Sequence, residues 1–525
     1  MRRAIAIIAL VAAVLACCGP VAFAAGGGNY RAWVVAPARC RVVPEAGAWR
    51  IAISVFAVRA MADASIEEVS CMGHDLGSAM ETGQFTRIPI TVAWGVSPQD
   101  LDRWRSLRRA WELDTLAPTD ADEFGRLNEL ISRNLPKDSR PLELTLQTAN
   151  LPFEVKDHQD YPVTVRLRHG DQVEEFTSIM AVRTLPSDSN WSPGDFHIHS
   201  TWSDGTMTPS TIASTLQDMG YKIAYVTDHT DLIGNWTNYA SAIGAASTSY
   251  IKLYPGAEMT VRDFQSLERM GDLLAYGVSS LTGLDNKLYL PQVGIDNILN
   301  SNPSGPSSPA IAHPSGVPAW PEPTYYRWDV AKYRGWELMS GTQVSFSDSA
   351  SPMVRWRNEL TRLLSDTFTY GYFASARTGS DIHGTSHPGY VTYIRTFSWT
   401  SKSSVDTTLY NGKTVASRKG GLAYMSLKFG ATTKQVGERL TGVPANGVLY
   451  LNITFKPVES GSYTIKVYRD NKVQTVFSTA GSYAAGSTYY PASNYTFTFP
   501  GGSHYYYLYV YSTDYIYSSP IFVAS

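Results

Sequence analysis

The sequence predicts an α/β domain of barrel type lying between two β-rich domains. Three observations predict it. From about residue 191, strand-like apolar runs alternate with helix-like amphipathic runs, the pattern of βα units. Histidines and carboxylates stand at the ends of successive strand-like runs, where a barrel places its site. On either side of this region the chain breaks into short strand-like runs separated by Gly, Ser and Pro turns. With 525 residues the chain exceeds one core and divides into about three domains.

The elements follow in order. Arg2 and Arg3 precede an apolar run over residues 4–16, and Ala22-Phe23-Ala24 offers a small-x-small cleavage site. Residues 1–24 therefore read as a secretory signal, and the mature chain is expected in the periplasm or secreted. Cys17 and Cys18 offer lipid anchoring as a rival reading, disfavoured because one cysteine would directly precede the modified one. No other stretch approaches the roughly 18 apolar residues of a membrane span. After signal removal Cys40 and Cys71 remain, and an even count in an oxidising compartment predicts a disulfide.

Residues 25–190 read as a β-rich domain with a helical insertion. Residues 49–56 partly alternate, and residues 85–92 resemble an edge strand interrupted by Pro89. Ser97-Pro98-Gln99-Asp100 is a helix start, followed by a stripe of Leu101, Trp104, Leu107 and Trp111. A second helix, from residue 119 or 120 to 133, carries Phe124, Leu127, Leu130 and Ile131. The pair reads as packing rather than as a cofactor site. Strands return at 142–146 and 163–167, and residues 186–190 read as a linker.

Residues 191–426 form the alternating domain. Thr208-Pro209-Ser210 opens a helix that Gly220 ends, and residues 223–226 are the next strand. Residues 301–309 read as a loop, 354–367 as a helix and 371–376 as a strand. Residues 427–525 alternate at 448–455, 463–468 and 505–511, which indicates a small β-sandwich. Its tyrosines read as filling and bordering the sheets, with a glycan-stacking platform as the alternative.

Charge excludes one class of function. Lys and Arg number 44 against 46 Asp and Glu, a near balance that does not suit an electrostatic nucleic-acid binder. No Gly-x-Ser-x-Gly elbow and no P-loop occurs, so neither an activated serine nor a phosphate cradle is marked.

The chemistry lies in the strand-end clusters. In Asp195-Phe196-His197-Ile198-His199 the two histidines, two residues apart, share one face of a strand. Both imidazoles then reach one cation at about 2.0–2.1 Å. Asp204 follows in the next loop, and residues 223–226 run into Thr227-Asp228-His229. Glu258, Asp272 and His313 stand at later strand ends, and Asp381-Ile382-His383 repeats the spacing of two. Imidazole and carboxylate donors without thiolate suit Zn²⁺, Mn²⁺ or Fe²⁺ in a catalytic site. Glu258, with two oxygens, is a natural bridge between cations. Asp195 and Asp228 stand beside ligand histidines as acceptors that would orient imidazoles. Arg377 is a candidate for contact with a phosphate oxygen, and His387 reads as a loop residue.

This series resembles the PHP family, named for polymerase and histidinol phosphatase, over roughly residues 191–395. The family order of His-x-His, Asp, His, Glu, His, His and Asp-x-His falls on His197, His199, Asp204, His229, Glu258, position 272, His313, Asp381 and His383. Position 272 holds Asp where the family usually has His. The wider layout, with residues 409–417 and the β-strand tail at 519–523, is similar to the bacterial carbaryl-hydrolase branch. The resemblance implies a distorted seven-stranded β/α barrel holding two or three divalent ions. It implies one ion among His197, His199, Glu258 and Asp381, a second among Glu258, Asp272 and His313, and a third among Asp204, His229 and His383. Water activated between such ions would favour hydrolysis of a small phosphoester, with an ester or carbamate as the next choice. A non-catalytic, glycan-binding surface protein with a structural metal is the reading from another class.

Overall fold

The computed structural model describes residues 33–35 and 40–525, apart from 59–63, 81–87, 89, 113–115, 135–141, 263–268, 285–290, 304, 315–329, 342–350, 385–386, 397 and 473. The signal-like residues 1–24, with Cys17 and Cys18, lie outside the described residues. No helix among the described residues is long and apolar enough to cross a membrane. The architecture is mixed α/β and strand-rich.

The N-terminal region places two sheets face to face. Ala48–Ala57 alternates, so Trp49, Ile51, Ile53 and Val55 all point inward. They meet Tyr161, Val163, Val165 and Met180 from the facing sheet, whose order is Cys40–Val42, Gln172–Val182, Gln159–His169, Ser65–Cys71, His74–Asp75. Helices Pro98–Glu112 and Ala121–Asn134 pack on the other side against Phe56, through Leu101, Trp104, Leu107, Phe124, Leu127 and Ile131. The first helix is capped as its sequence suggests, the Asp100 amide donating to Ser97 Oγ at 3.0 Å.

The expected Cys40–Cys71 disulfide is overturned, because both residues are buried free thiols. Their strands are separated by Gln172–Val182 and Gln159–His169. Three strand spacings are about 14 Å, and a disulfide needs Cα atoms within about 7 Å. Burial pushes the Cys40 thiol up to about 12 and the Cys71 thiol up to about 11.

Two sheets build the central region. In one, Trp191–Asp195 pairs parallel with Ile223–Val226, which pairs parallel with Lys252–Pro255. The other runs Ala257–Arg262, Arg269–Tyr276, Ser308–Ile311, Gly335–Ser340, Ser375–Gly379. Isolated bridges join the two: Ile198↔Ile382 just past two strand ends, and His229↔Glu258 between the chain after Ile223–Val226 and the start of Ala257–Arg262. Among the described residues these sheets are joined by single bridges and form no continuous closed barrel. Ala257–Arg262 and Arg269–Tyr276 form an antiparallel hairpin, and Arg269–Tyr276 also pairs antiparallel with Ser308–Ile311. Those reversals depart from the all-parallel winding of a regular β/α barrel.

Helix Pro209–Asp218 starts at Thr208, whose hydroxyl accepts the Thr211 amide, and Gly220 lies beyond its end at φ 82°. The helix expected over 354–367 divides into Ser351–Arg362 and Leu364–Tyr370. Gly371, at φ 79°, caps the second, so the strand expected from 371 begins at Ser375. Residues 301–303 and 305–307 lie in the expected loop, but 308 and 309 already belong to a strand.

The first central sheet continues through Val391–Arg395 and Thr414–Ser417 into Ile516–Ser518, Ser503–Ser512, Gly461–Arg469 and Gln474–Tyr483. A four-stranded sheet of Thr432–Gln435, Leu422–Phe429, Val448–Lys456 and Tyr489–Thr498 contributes to the same apolar core. Tyr463, Tyr505, Tyr506, Tyr507 and Tyr517 lie inside it, whereas Tyr450, Tyr490 and Tyr495 are exposed.

Candidate metal centre

The site forms where the two central sheets meet. Beyond Trp191–Asp195 the chain stays extended, and the bridge at Ile198 ties it to the segment after Ser375–Gly379. The Asp381 amide donates to His197 O at 2.8 Å, and the His199 amide to Ile382 O at 3.0 Å. That exchange brings His197 and His199 to Asp381. The second bridge brings His229 to Glu258. Leu273↔Ile311 pairing then places Asp272 beside the strand that delivers His313.

Three groups of converging donors result: His197, His199, Glu258 and Asp381; Glu258, Asp272 and His313; and His199, Asp204, His229 and His383. Within each group the donor atoms lie within 4.8 Å of one another. All nine sequence-derived ligand candidates are thus brought together. The third group gains His199, which is shared with the first. Glu258 divides its oxygens as a bridge would: Oε1 lies 2.9 Å from His313 Nε2, and Oε2 lies 3.1 Å from His199 Nε2 and 3.4 Å from His197 Nε2. Asp272 Oδ2 is 3.5 Å from His313 Nε2, so this aspartate faces the cluster.

The donor chemistry fits divalent cations. His197 Nδ1 donates to Glu337 at 3.1 Å, so the lone pair of a neutral imidazole sits on Nε2. That atom faces His199 Nε2 at 3.2 Å and Asp381 Oδ1 at 3.3 Å. Facing nitrogens and carboxylate oxygens in a buried cluster are what a cation would hold together. Protonation plays that part without one. Burial disfavours charge on His197 and His199, but the carboxylates around them outweigh it and raise both well above the ordinary imidazole value. His229 and His313 are raised for the same reason. Burial likewise opposes ionisation of Glu258, Asp204 and Asp381, yet the imidazoles hold all three carboxyls below the usual range.

Exposure is graded across the cluster. Glu258, His197 and Asp272 are sealed, whereas the side chains of Asp204 and His383 are 47% and 41% exposed. The Asp204–His383 end is the open face. Gly205 shapes it, because a Cβ there would stand 2.4 Å from His199 O.

The remaining candidates are placed elsewhere. Arg377 is buried, and its guanidinium donates to Ser375 Oγ, Ser308 Oγ, Arg334 O and Leu409 O. Its expected phosphate contact is corrected: strand alternation turns the side chain into the packed interior, over the Tyr276 ring. Asp228 orients no imidazole directly. It accepts from the Ser200 amide at 2.7 Å and the Ser200 hydroxyl at 2.6 Å, and the Ser203 hydroxyl also donates to it. Asp195 accepts the His197 and Ser380 amides and pairs with His387 Nε2 at 2.7 Å. It therefore fixes the backbone on both sides of the cluster, and His387 is a buried brace rather than a member of a donor group. Glu337 was missed. A lone charged residue in the strand Gly335–Ser340 was the available signal.

No family model matches the sequence, and no curated protein matches it. Among solved structures, a two-domain protein from Bacteroides vulgatus containing a predicted PHP-like metal-dependent phosphoesterase is similar. The likeness has 16% identity and a TM-score of 0.33, covering 62% of this chain and 93% of that one. An amidohydrolase from Chromobacterium violaceum, solved with bound sulfate and no metal, is similar at 16% identity and TM-score 0.22, over 36% of this chain and 87% of that one. At these scores the site's own residues carry the functional reading.

Proposed function

We propose that this chain is a metal-dependent hydrolase of PHP type acting on small phosphoesters, with His197, His199, Asp204, His229, Glu258, Asp272, His313, Asp381 and His383 holding two or three divalent ions. The observation that carries the reading is the sharing of Glu258 and His199 among three adjoining donor groups. Donor groups with common members hold their ions close together, the arrangement of multinuclear hydrolytic centres. Such ions supply positive charge for the attacking and leaving oxygens of a displacement and lower the pKa of a bound water.

The chain's own residues supply the rest. His197, Glu258 and Asp272 form the sealed floor, where exclusion of water strengthens every charge interaction. The exposed Asp204 and His383 mark the side from which substrate approaches. His383 Nδ1 donates to Asp381 O at 3.1 Å, which turns its Nε2 towards Asp204 at 3.3 Å. That edge is held as part of the same rim. The composition of residues 1–24 supports export as the setting for this activity.

The test is metal content together with turnover of p-nitrophenyl phosphate and bis-p-nitrophenyl phosphate. Turnover lost to chelator and restored by Zn²⁺ or Mn²⁺ supports the reading. A metal-loaded protein inactive on a broad phosphoester panel refutes it.

A further inference from the structure

Glu337 belongs to none of the three donor groups, yet it touches two of them. Its carboxylate is fully buried, on the strand Gly335–Ser340 between Ser308–Ile311 and Ser375–Gly379. It accepts from His197 Nδ1, 3.1 Å from Oε1 and 3.3 Å from Oε2. It also accepts the backbone amide of His313, 2.7 Å from Oε2. The first contact fixes which imidazole nitrogen of His197 faces the cluster. The second holds a strained residue, since His313 has φ 27°, where a non-glycine backbone is costly.

Room for this carboxylate is built in by Gly379. A Cβ at that position would stand 2.1 Å from Glu337 Oε1 and 2.3 Å from His197 Cβ. Only a residue without a side chain lets the two approach. The glycine slot and the two accepted donors are independent observations, and both point to His197 and Glu337 being held as a pair.

We propose that Glu337 is a positioning residue that sets two of the cation sites at once. It directs His197 Nε2 to the group containing Asp381, and it locks the backbone turn that directs His313 Nε2 to Glu258 and Asp272. The proposal rests on the metal-dependent reading above. A carboxylate presents an acceptor at both positions, whereas an amide replaces one of them with an NH₂ that can only donate. Glu337→Gln keeps the shape, but its NH₂ either takes the Oε1 position and faces the His197 Nδ1 proton at 3.1 Å, or takes the Oε2 position and leaves the His313 amide without its acceptor.

The test titrates chelator-stripped full-length protein with Zn²⁺ against a competing dye, comparing wild type with Glu337→Gln after circular dichroism has shown both folded. The expected result is at least one zinc site weakened about 10–100-fold in the variant. A folded variant that titrates as wild type overturns the proposal and leaves the metal reading standing. A wild type that takes up no metal overturns the metal reading and the proposal with it. A second measurement needs no variant: ¹⁵N NMR of zinc-loaded wild type labelled at histidine. Zinc on His197 Nε2 with the proton on Nδ1 is expected. Zinc on Nδ1 overturns the proposal even if Glu337→Gln does not fold.

Discussion

Glu258→Gln is the sharpest perturbation of the centre. The side chain is 1% exposed, and four imidazole nitrogens surround it: His313 Nε2 at 2.9 Å, His199 Nε2 at 3.1 Å, and His197 Nε2 and His229 Nδ1 each at 3.4 Å. At about 3.2 Å and an effective dielectric of about 20, one charged pair is worth about 5 kcal/mol before desolvation. Removing one partner of a buried pair costs about 3–5 kcal/mol. The cost in metal-free protein should sit near about 3 kcal/mol, because imidazoles deprived of their counter-charge release protons rather than stay charged. With metal, the amide offers its oxygen to one donor group and its NH₂ to the other, so one group loses a ligand whichever way it turns. Zinc content measured after dialysis should fall by at least one ion per chain. Phosphoester turnover should fall by more than the about 10–100-fold that loss of a supporting partner gives. A folded Glu258→Gln with wild-type zinc content and turnover would refute the bridging role.

Asp272→His should keep the metal stoichiometry, since Asp272 already faces the cluster, and should move metal preference from Mn²⁺ or Fe²⁺ towards Zn²⁺; a gain of one ion per chain would show that Asp272 does not ligate. The raised pKa values of His197, His199, His229 and His313 mean that cations compete with protons. Zinc affinity should therefore fall as pH is lowered, with proton release on loading in unbuffered titrations, and a pH-independent affinity would contradict the assignment. In metal-free protein the sign is opposite: the imidazolium–carboxylate pairs stabilise fully between about 4.5 and about 6.5, and that stability is lost as pH rises through the raised imidazole values and also as it falls towards the lowered carboxyl values, which denaturation with chelator present will read. Cys40 and Cys71 should both react with a thiol reagent in unfolded, unreduced protein and resist it when folded, whereas a mass two hydrogens short of the dithiol would restore the disulfide.

What the sequence made legible was whatever lies along one strand or at its end. His197 and His199 face one way because side chains alternate, and each further donor follows its own apolar run, so the order of clusters picked out the residues that the fold brings together. What it hid lies across strands. Arg377 precedes Thr378-Gly379-Ser380-Asp381, yet whether it faces substrate or core depends on the strands beside it, and Ser308, Arg334 and Leu409 claim it. The two cysteines counted as a pair until the sheet order put two strands between them. The antiparallel pairing of Ala257–Arg262 with Arg269–Tyr276 departs from regular βα alternation, and strand propensity does not announce it. Glu337 shows the same boundary from the other side. Its sequence neighbours are apolar, and its partners lie 140 and 24 residues away. Gly379 stands next to the Asp381-Ile382-His383 motif and reads in sequence as an ordinary turn glycine. Its requirement is set by the carboxylate on the adjacent strand. Donors are therefore readable from local pattern, whereas the groups that aim them are fixed by sheet pairing, and variants at Glu337 and Gly379 are where the folded geometry, rather than the motif, is put to the test.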